Sequence, residues 1–306
     1  MDESLDLRKN VAQRFEFIEW RAYWAGRINR KDLEETFQIS TQQASIDLGG
    51  YQAAAPDNIE YSPTEKAYLA TPNFKLRFLT LSPERYLLQL HALTTDAIRK
   101  SDTWFDQVPP AEVIPTFVRG AEAHVIRAIV RAIEMRGTVN INYQSLTRTG
   151  VRPICPHAFA HDGYRWHVRA LSVEHDQFRD YVLGRILSID DTPKPCDADP
   201  SDDVEWQTQI TLRITAHPKL DDRQKETIEH DHRMKDGELA IQMRVALAYY
   251  FIKRYFLDLR AGEIGPDRAQ LYLKNYDEVV GAIAAAKEQS KALVTARRSR
   301  PKPAGA

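Results

Sequence analysis

The chain has 306 residues, 43% of them hydrophobic, and a formal net charge of −1. That length and apolar content predict two or three domains with real cores, and no apolar run approaches the roughly 20 residues that span a bilayer. The near-zero charge excludes proteins that hold nucleic acid by bulk electrostatics, so any such role must rest on a local surface. Its two cysteines, Cys155 and Cys196, match no zinc spacing and no disulfide framework. They point to a reducing cytoplasm. The start, MDESLDLRKN, is acidic without an apolar stretch, so no signal peptide is expected there.

Residues 10–70 are mostly helical in pattern. Val11, Phe15, Ile18, Tyr23 and Trp24 approximate one helical face, and Gly26 ends that helix. Asn29 is placed to cap a second helix with Asp32 at its third position, and Ser40 to cap a third that Pro56 stops. NIEYSPTEKAYLA follows as two short strand-like runs. Three helices and a hairpin form the pattern of a winged helix-turn-helix over residues 1–70. Sequence readout needs short polar side chains near the start of a groove-binding helix, and Ser40, Thr41, Gln42, Gln43 and Ser45 supply them. Gln43 is the expected reader of an adenine edge, with Ser40 and Thr41 on phosphates. Arg27, Arg30 and Lys31 offer phosphate contacts, and Tyr61 and Lys66 on the wing offer backbone or minor-groove contacts. Against this, residues 1–70 hold eight Lys and Arg but twelve acidic residues, among them Asp2, Glu3 and Asp6.

Residues 71–137 read as a helical bridge, with Ser82-Pro83 opening one helix and Gly137 ending another. Residues 138–191 alternate in short apolar runs broken by turns, the mark of a compact antiparallel barrel. Alternation places Tyr164, Trp166, Val168 and Ala170 on a core face and Arg165, His167 and Arg169 on the other. Tyr143, Ser145, Arg152, His157, Arg169, Arg179 and Arg185 are then expected to converge on one ligand face, where guanidinium groups suit phosphates and His or Tyr suits a base. Residues 192–205 are a Pro- and Asp-rich linker. Residues 206–292 run strand, helix, strand, helix, strand and a final helix. Residues 293–306 read as a flexible basic tail with Arg297, Arg298, Arg300 and Lys302.

The order Arg152-Pro153, then GYRWHV at 163–168, then Gly184-Arg185-Ile186 resembles the WYL domain, a small Sm-like barrel of bacterial transcription regulators. With a winged helix before it and an α/β extension after it, the arrangement is most similar to the BrxR/CapW group of phage-defence repressors. The resemblance implies an α+β protein with a winged helix-turn-helix, a helical bridge, a five-stranded barrel and a C-terminal dimerisation domain. It implies a homodimer on a double-stranded DNA operator with an inverted repeat, and a nucleotide or short nucleic acid in the barrel. It places Arg152, Tyr143 with Ser145, and Arg185 at the ligand site, although Val182 stands where the family often has a further Arg. The alternatives are an Sm-like RNA- or single-strand-binding protein and an accessory subunit of a nuclease.

No cofactor, metal or catalytic set is expected. His230-Asp231-His232 lacks further ligands, Cys155 with His157 lacks an oxyanion signature, and Gly49-Gly50 is no phosphate loop. The run Tyr249, Tyr250, Phe251, Tyr255 and Phe256 reads as core or dimer interface.

Overall fold

The computed structural model describes residues 9–115, 120–190, 192–196, 198–259 and 263–299. Asp2, Glu3, Asp6, Arg300 and Lys302 lie outside them. The chain divides into two compact units, Met1–Thr116 and Phe117–Ala306.

The first unit contains α1 (Lys9–Ala25), β1 (Arg27–Ile28), α2 (Arg30–Phe37), α3 (Thr41–Ala54), β2 (Ile59–Ser62), β3 (Ala67–Ala70) and α4 (Pro83–Thr94). Gly26 turns the chain out of α1 at φ +72°. Asn29 and Asp32 form a reciprocal capping box on α2, and Gln38 ends that helix in the left-handed region. The Ser40 side chain accepts the Gln43 N–H to start α3. The three strands pair antiparallel in the order β1-β3-β2. Phe15, Phe17, Ile18, Leu33, Ala44, Leu48, Tyr51 and Ile59 form the core beneath them. The buried Glu19 carboxylate accepts the backbone N–H groups of Arg77, Phe78 and Leu79 and the Tyr51 hydroxyl. Tyr86 of α4 packs on Trp20, Trp24 and Phe105, so α4 is part of this unit. The expected bridge over 71–137 is therefore not one body, because these aromatic contacts claim its first half.

The second unit begins with α5 (Ala123–Glu134), β4 (Gly137–Gln144), β5 (Thr149–His161), β6 (Trp166–Ser172), β7 (Gln177–Val182), β8 (Ile186–Ile189) and β9 (Lys194–Pro195). The strands pair in the order β7-β6-β5-β4-β8, with β9 on β4. No ladder joins β7 to β8 among the described residues, so the expected five-stranded barrel is an open sheet. A single 3-10 turn, Leu183–Arg185, carries the chain from one edge to the other and leaves β8 four residues long. The register of β8 on β4 also slips between Asn142 and Tyr143. Val125, Ile129 and Ala132 of α5 cover one face of this sheet, against Val139, Ile141, Ile154, Val168 and Tyr181.

Cys155 on β5 and Cys196 after β9 form a disulfide across 41 residues. The expectation of unpaired thiols is thus corrected. Linear spacing carries no sign of a pair that strand pairing brings together.

The remaining elements are α6 (Val204–Gln207), β10 (Gln209–Ala216), α7 (Asp222–Asp231), β11 (Glu238–Arg244), α8 (Val245–Arg254), β12 (Leu271–Leu273) and α9 (Tyr276–Arg298). Strands in the order β11-β10-β12 carry α8 and α9 on a core of Leu212, Ile214, Ala248, Ile252, Leu273 and Val279. The Val204 N–H donates to the Ser290 hydroxyl, tying α6 to α9. Residues 293–298, expected as the start of a flexible tail, are helical instead, because α9 runs on to Arg298. Its end is anchored by Arg297 on Asp199 and Asp202 and by Arg298 on the Val173 carbonyl.

Candidate functional site

Two surfaces carry the residues singled out by the sequence, one in each unit. On the first, Arg27, Arg30, Lys31, Ser40, Thr41, Gln42, Ser45, Tyr61 and Lys66 are all exposed. Arg27 lies 3.6 Å from Glu65 and Lys31 3.3 Å from Glu35. Such exposed pairs are weak, so a phosphate can compete for either cation. Ser45 turns its hydroxyl back to the Thr41 carbonyl. Gln43 is the exception. It is half-buried, and its amide donates to Asp47 at 3.0 Å, a carboxylate that Arg14 holds at 2.6 Å. Its side chain is spent on bracing α3 against α1, so the expected adenine reader points away from solvent. The outward edge of α3 is instead Thr41, Gln42, Ser45, Ile46 and Gly49. Ile46 and Gly49 were not anticipated. Continuing the helical spacing from Gln42 at three- and four-residue steps finds both.

In the second unit, the strand register divides the expected single ligand face in two. Ile141 pairs with Arg152, Ala170 with Arg179 and Val168 with Tyr181, which places Tyr143, Arg152 and Arg179 on the α5 side of the sheet. Arg169 pairs with Asp180 and points to the opposite side.

On the α5 side, the Arg152 guanidinium lies 5.0 Å from the Tyr143 ring centroid. The Tyr143 hydroxyl accepts the Val182 N–H, and its ring meets Tyr181 edge-on at 5.2 Å. Burial pushes the Tyr181 phenol up in pKa, opposed by a Ser172 hydrogen bond and by the charges of Arg179 and Arg152. The positive charges of Arg179 and Arg152 thus both favour the ionised form of one buried phenol. Arg152 Nε is itself buried without a partner. Arg179 makes a 3.3 Å contact to Gln177, and Arg185 is half-buried in the 3-10 turn. Ser145 is committed to its own hairpin, accepting the Arg148 N–H and donating to the Arg148 carbonyl.

On the opposite side, the Arg169 fork meets Asp203 at 2.8 Å through two nitrogens, Glu205 at 2.9 Å and Asp180 at 3.4 Å. His157 Nε2 lies 2.9 Å from Asp203, and the Tyr250 hydroxyl of α8 donates to Asp180 at 2.8 Å. Beside them His167 pairs with Asp162 at 2.9 Å and packs on the Tyr250 ring. Arg169 is only 3% exposed and Asp203 is 0% exposed. Arg169 is therefore saturated within the protein, and His157 is engaged through Nε2. They fasten α6 and α8 to the sheet and leave the expected ligand set. Trp166 and Tyr164, expected in the core, are 55% and 65% exposed because they lie at the turn of the β5–β6 hairpin.

Burial works to raise the Asp203 carboxyl, but bonds from Arg169 and His157 hold it below its ordinary value. Glu205 shifts the other way, because its burial outweighs the help of Arg169 and two carboxylates stand nearby. Burial also opposes the ionised form of Asp162, yet the His167 bond and the N–H groups of Tyr164 and Arg165 bring it down to about 2. No group of His, Cys, Asp and Glu among the described residues could hold a metal ion.

Three family profiles match the chain. The BrxR transcriptional regulator winged helix-turn-helix domain matches residues 10–92, the WYL domain 124–190, and the BrxR transcriptional regulator C-terminal dimerization domain 209–279. The DNA-binding transcriptional repressor CapW of Escherichia coli is 35% identical over 87% of this chain and 90% of its own length. The protein of that name in Pseudomonas aeruginosa is 36% identical over the same shares, and that of Stenotrophomonas maltophilia 32% identical over 90% and 93%. Among solved structures, PafBC of Arthrobacter aurescens aligns over 90% of this chain and 46% of its own at 15% identity, with a TM-score of 0.27. On the strength of the sequence relatives, spanning nearly the whole of both chains, this chain belongs to the BrxR/CapW family of WYL-domain transcription regulators.

Proposed function

We propose that the protein is a cytoplasmic DNA-binding transcriptional repressor that acts as a homodimer on an inverted repeat in its own defence operon. It is a regulator rather than an enzyme. The observation that carries this reading is the exposed outward edge of α3, with Thr41 and Gln42 at its start, presented by a winged helix whose relatives bear the name DNA-binding transcriptional repressor. Arg27, Arg30, Lys31 and Lys66 supply the flanking positive charge that the unit as a whole lacks. A two-fold dimer built through the C-terminal domain would match a palindromic operator.

We further propose that the α5 side of the WYL sheet senses a nucleotide or short nucleic acid. Arg152 and Arg179 would take phosphate oxygens beside Tyr143 and Tyr181, with Arg185 near them in the 3-10 turn. The unpartnered Arg152 Nε supports this reading, since a buried donor is costly until it is paired.

The test is a mobility shift with DNA from upstream of the gene, against scrambled competitor. Specific binding is expected, and the Thr41→Ala/Gln42→Ala double variant should lose about tenfold or more. Equal affinity for upstream duplex, scrambled duplex and single-stranded RNA would sink the repressor reading. Dinucleotide titration of wild type against Arg152→Ala and Arg179→Ala then tests the sensor.

A further inference from the structure

The outward edge of α3 carries two residues for which the fold itself has no use. Ile46 is 58% exposed in the middle of the helix, while the core is served by Ala44, Leu48 and Tyr51 of the same helix. A β-branched side chain is a poorer helix former than Ala or Leu, so nothing local recommends it there. Gly49 follows one turn later. Mid-helix glycine is destabilising relative to Ala, and close packing inside the protein normally explains it. At Gly50 a Cβ would at least touch the Phe15 ring, at 3.4 Å, but at Gly49 a Cβ would meet nothing within 4 Å.

Gln42, Ser45, Ile46 and Gly49 stand at helical positions i, i+3, i+4 and i+7, on one face. The face thus presents one branched apolar group, framed by an amide and a hydroxyl, beside bare backbone. A lone apolar residue among polar ones is too small a patch for protein docking. It does match a base edge. On the floor of the major groove the thymine 5-methyl group is the apolar feature that distinguishes one base from the others.

We propose that Ile46 reads a thymine 5-methyl group, and that Gly49 is bare so that α3 can seat at that depth in the groove. The proposal rests on the DNA-binding reading above and deepens it to a base type and an atom.

The experiment compares full-length wild type with Ile46→Ala and Gly49→Ala on upstream DNA made either with thymine or with uracil at every thymine position. Uracil keeps the hydrogen-bonding edges and removes only the methyl groups. Wild type should bind the uracil duplex about fourfold more weakly per half-site, hence about fifteenfold for a two-fold dimer, the value of one buried methyl on each side. Ile46→Ala should be weaker on thymine DNA and indifferent to the exchange. Gly49→Ala should melt at a higher temperature and yet bind its DNA more weakly. Wild type that prefers upstream over scrambled DNA but ignores the exchange would overturn the role of Ile46. So would an equal loss in wild type and Ile46→Ala. A stabilised Gly49→Ala with unchanged binding would overturn the role of Gly49. Absence of any preference for upstream DNA is a separate outcome, and that outcome removes the DNA-binding reading on which the proposal stands.

Discussion

Asp203 and Glu205 are two residues apart and answer to the same guanidinium, yet they respond to burial in opposite directions. Asp203 takes both prongs of Arg169 and a bond from His157, which together overcome desolvation. Glu205 receives one prong and sits near Asp203 and Asp180, so desolvation prevails. A depressed carboxyl contributes stability above its unfolded value, near 3.8, and loses it as pH falls through the folded value. A raised one contributes below its unfolded value, near 4.5, and loses that as pH rises. Urea melts at pH 7 should therefore show Asp203→Asn losing about 2 kcal/mol, since it weakens two charge-assisted bonds to the buried Arg169, and Glu205→Gln losing less than about 1 kcal/mol. Equal losses would mean that Arg169 does not distinguish its partners. Asp162 adds a second acid-sensitive contribution, present above pH 3.8 and lost toward about 2. His167→Gln should flatten that part of the acid-unfolding curve. An arginine on Asp180 is a pairing the sequence allows, but the Asp203 and Glu205 partners were not legible in it. Arg169 and His157 read as ligand groups because Asp203 and Glu205 lie 34 and 36 residues from Arg169 along the chain.

At the scale of elements, boundaries set by local chemistry could be read directly. The Asn29–Asp32 box, the Ser40 and Ser82 caps and the Gly26 turn all act within three or four residues, so the sequence contains the whole interaction. Alternation along β6 also placed Val168 and Ala170 on the buried face. What failed was the step from one strand to the next. Register between β6 and β7 sets Arg169 opposite Asp180, which sends Arg179 to the other side, and no single strand records that offset. Nor does β6 record that α6 and α8 cover its second face. Glu19 shows the same limit from the core outward: a glutamate on an apolar helix reads as surface, but it terminates the free N–H groups of residues 77–79. Glu19→Ala should cost roughly 3 kcal/mol or more by leaving those donors unpaired, measured by thermal or urea melting, with new protease cleavage near residue 77. A loss within 0.5 kcal/mol would show that water replaces the carboxylate.

The molecule as a whole was legible as an order of parts rather than as a set of contacts. A winged helix, a WYL segment and an α/β extension each left a pattern, whereas the open sheet and the Cys155–Cys196 bond did not. That bond closes a ring that holds the end of β5 and all of β6 to β9, and in the chain-entropy view a loop of this length stabilises by up to about 4 kcal/mol. Reductant should lower the melting temperature of wild type, and Cys155→Ser should melt low with or without it. A homodimer carries its own signature, a melting temperature that rises with protein concentration, and a concentration-independent value would argue for a folded monomer. β7 joins the scales. Arg179, Asp180 and Tyr181 are consecutive, with the first and third facing α5 and the second holding the Tyr250 hydroxyl of α8. The WYL sheet is thus a partition one peptide thick. A twist of β7 that re-aims Arg179 turns the same peptide planes that aim Asp180, so a ligand taken on the α5 side, as proposed above, would pull directly on the latch that secures the other.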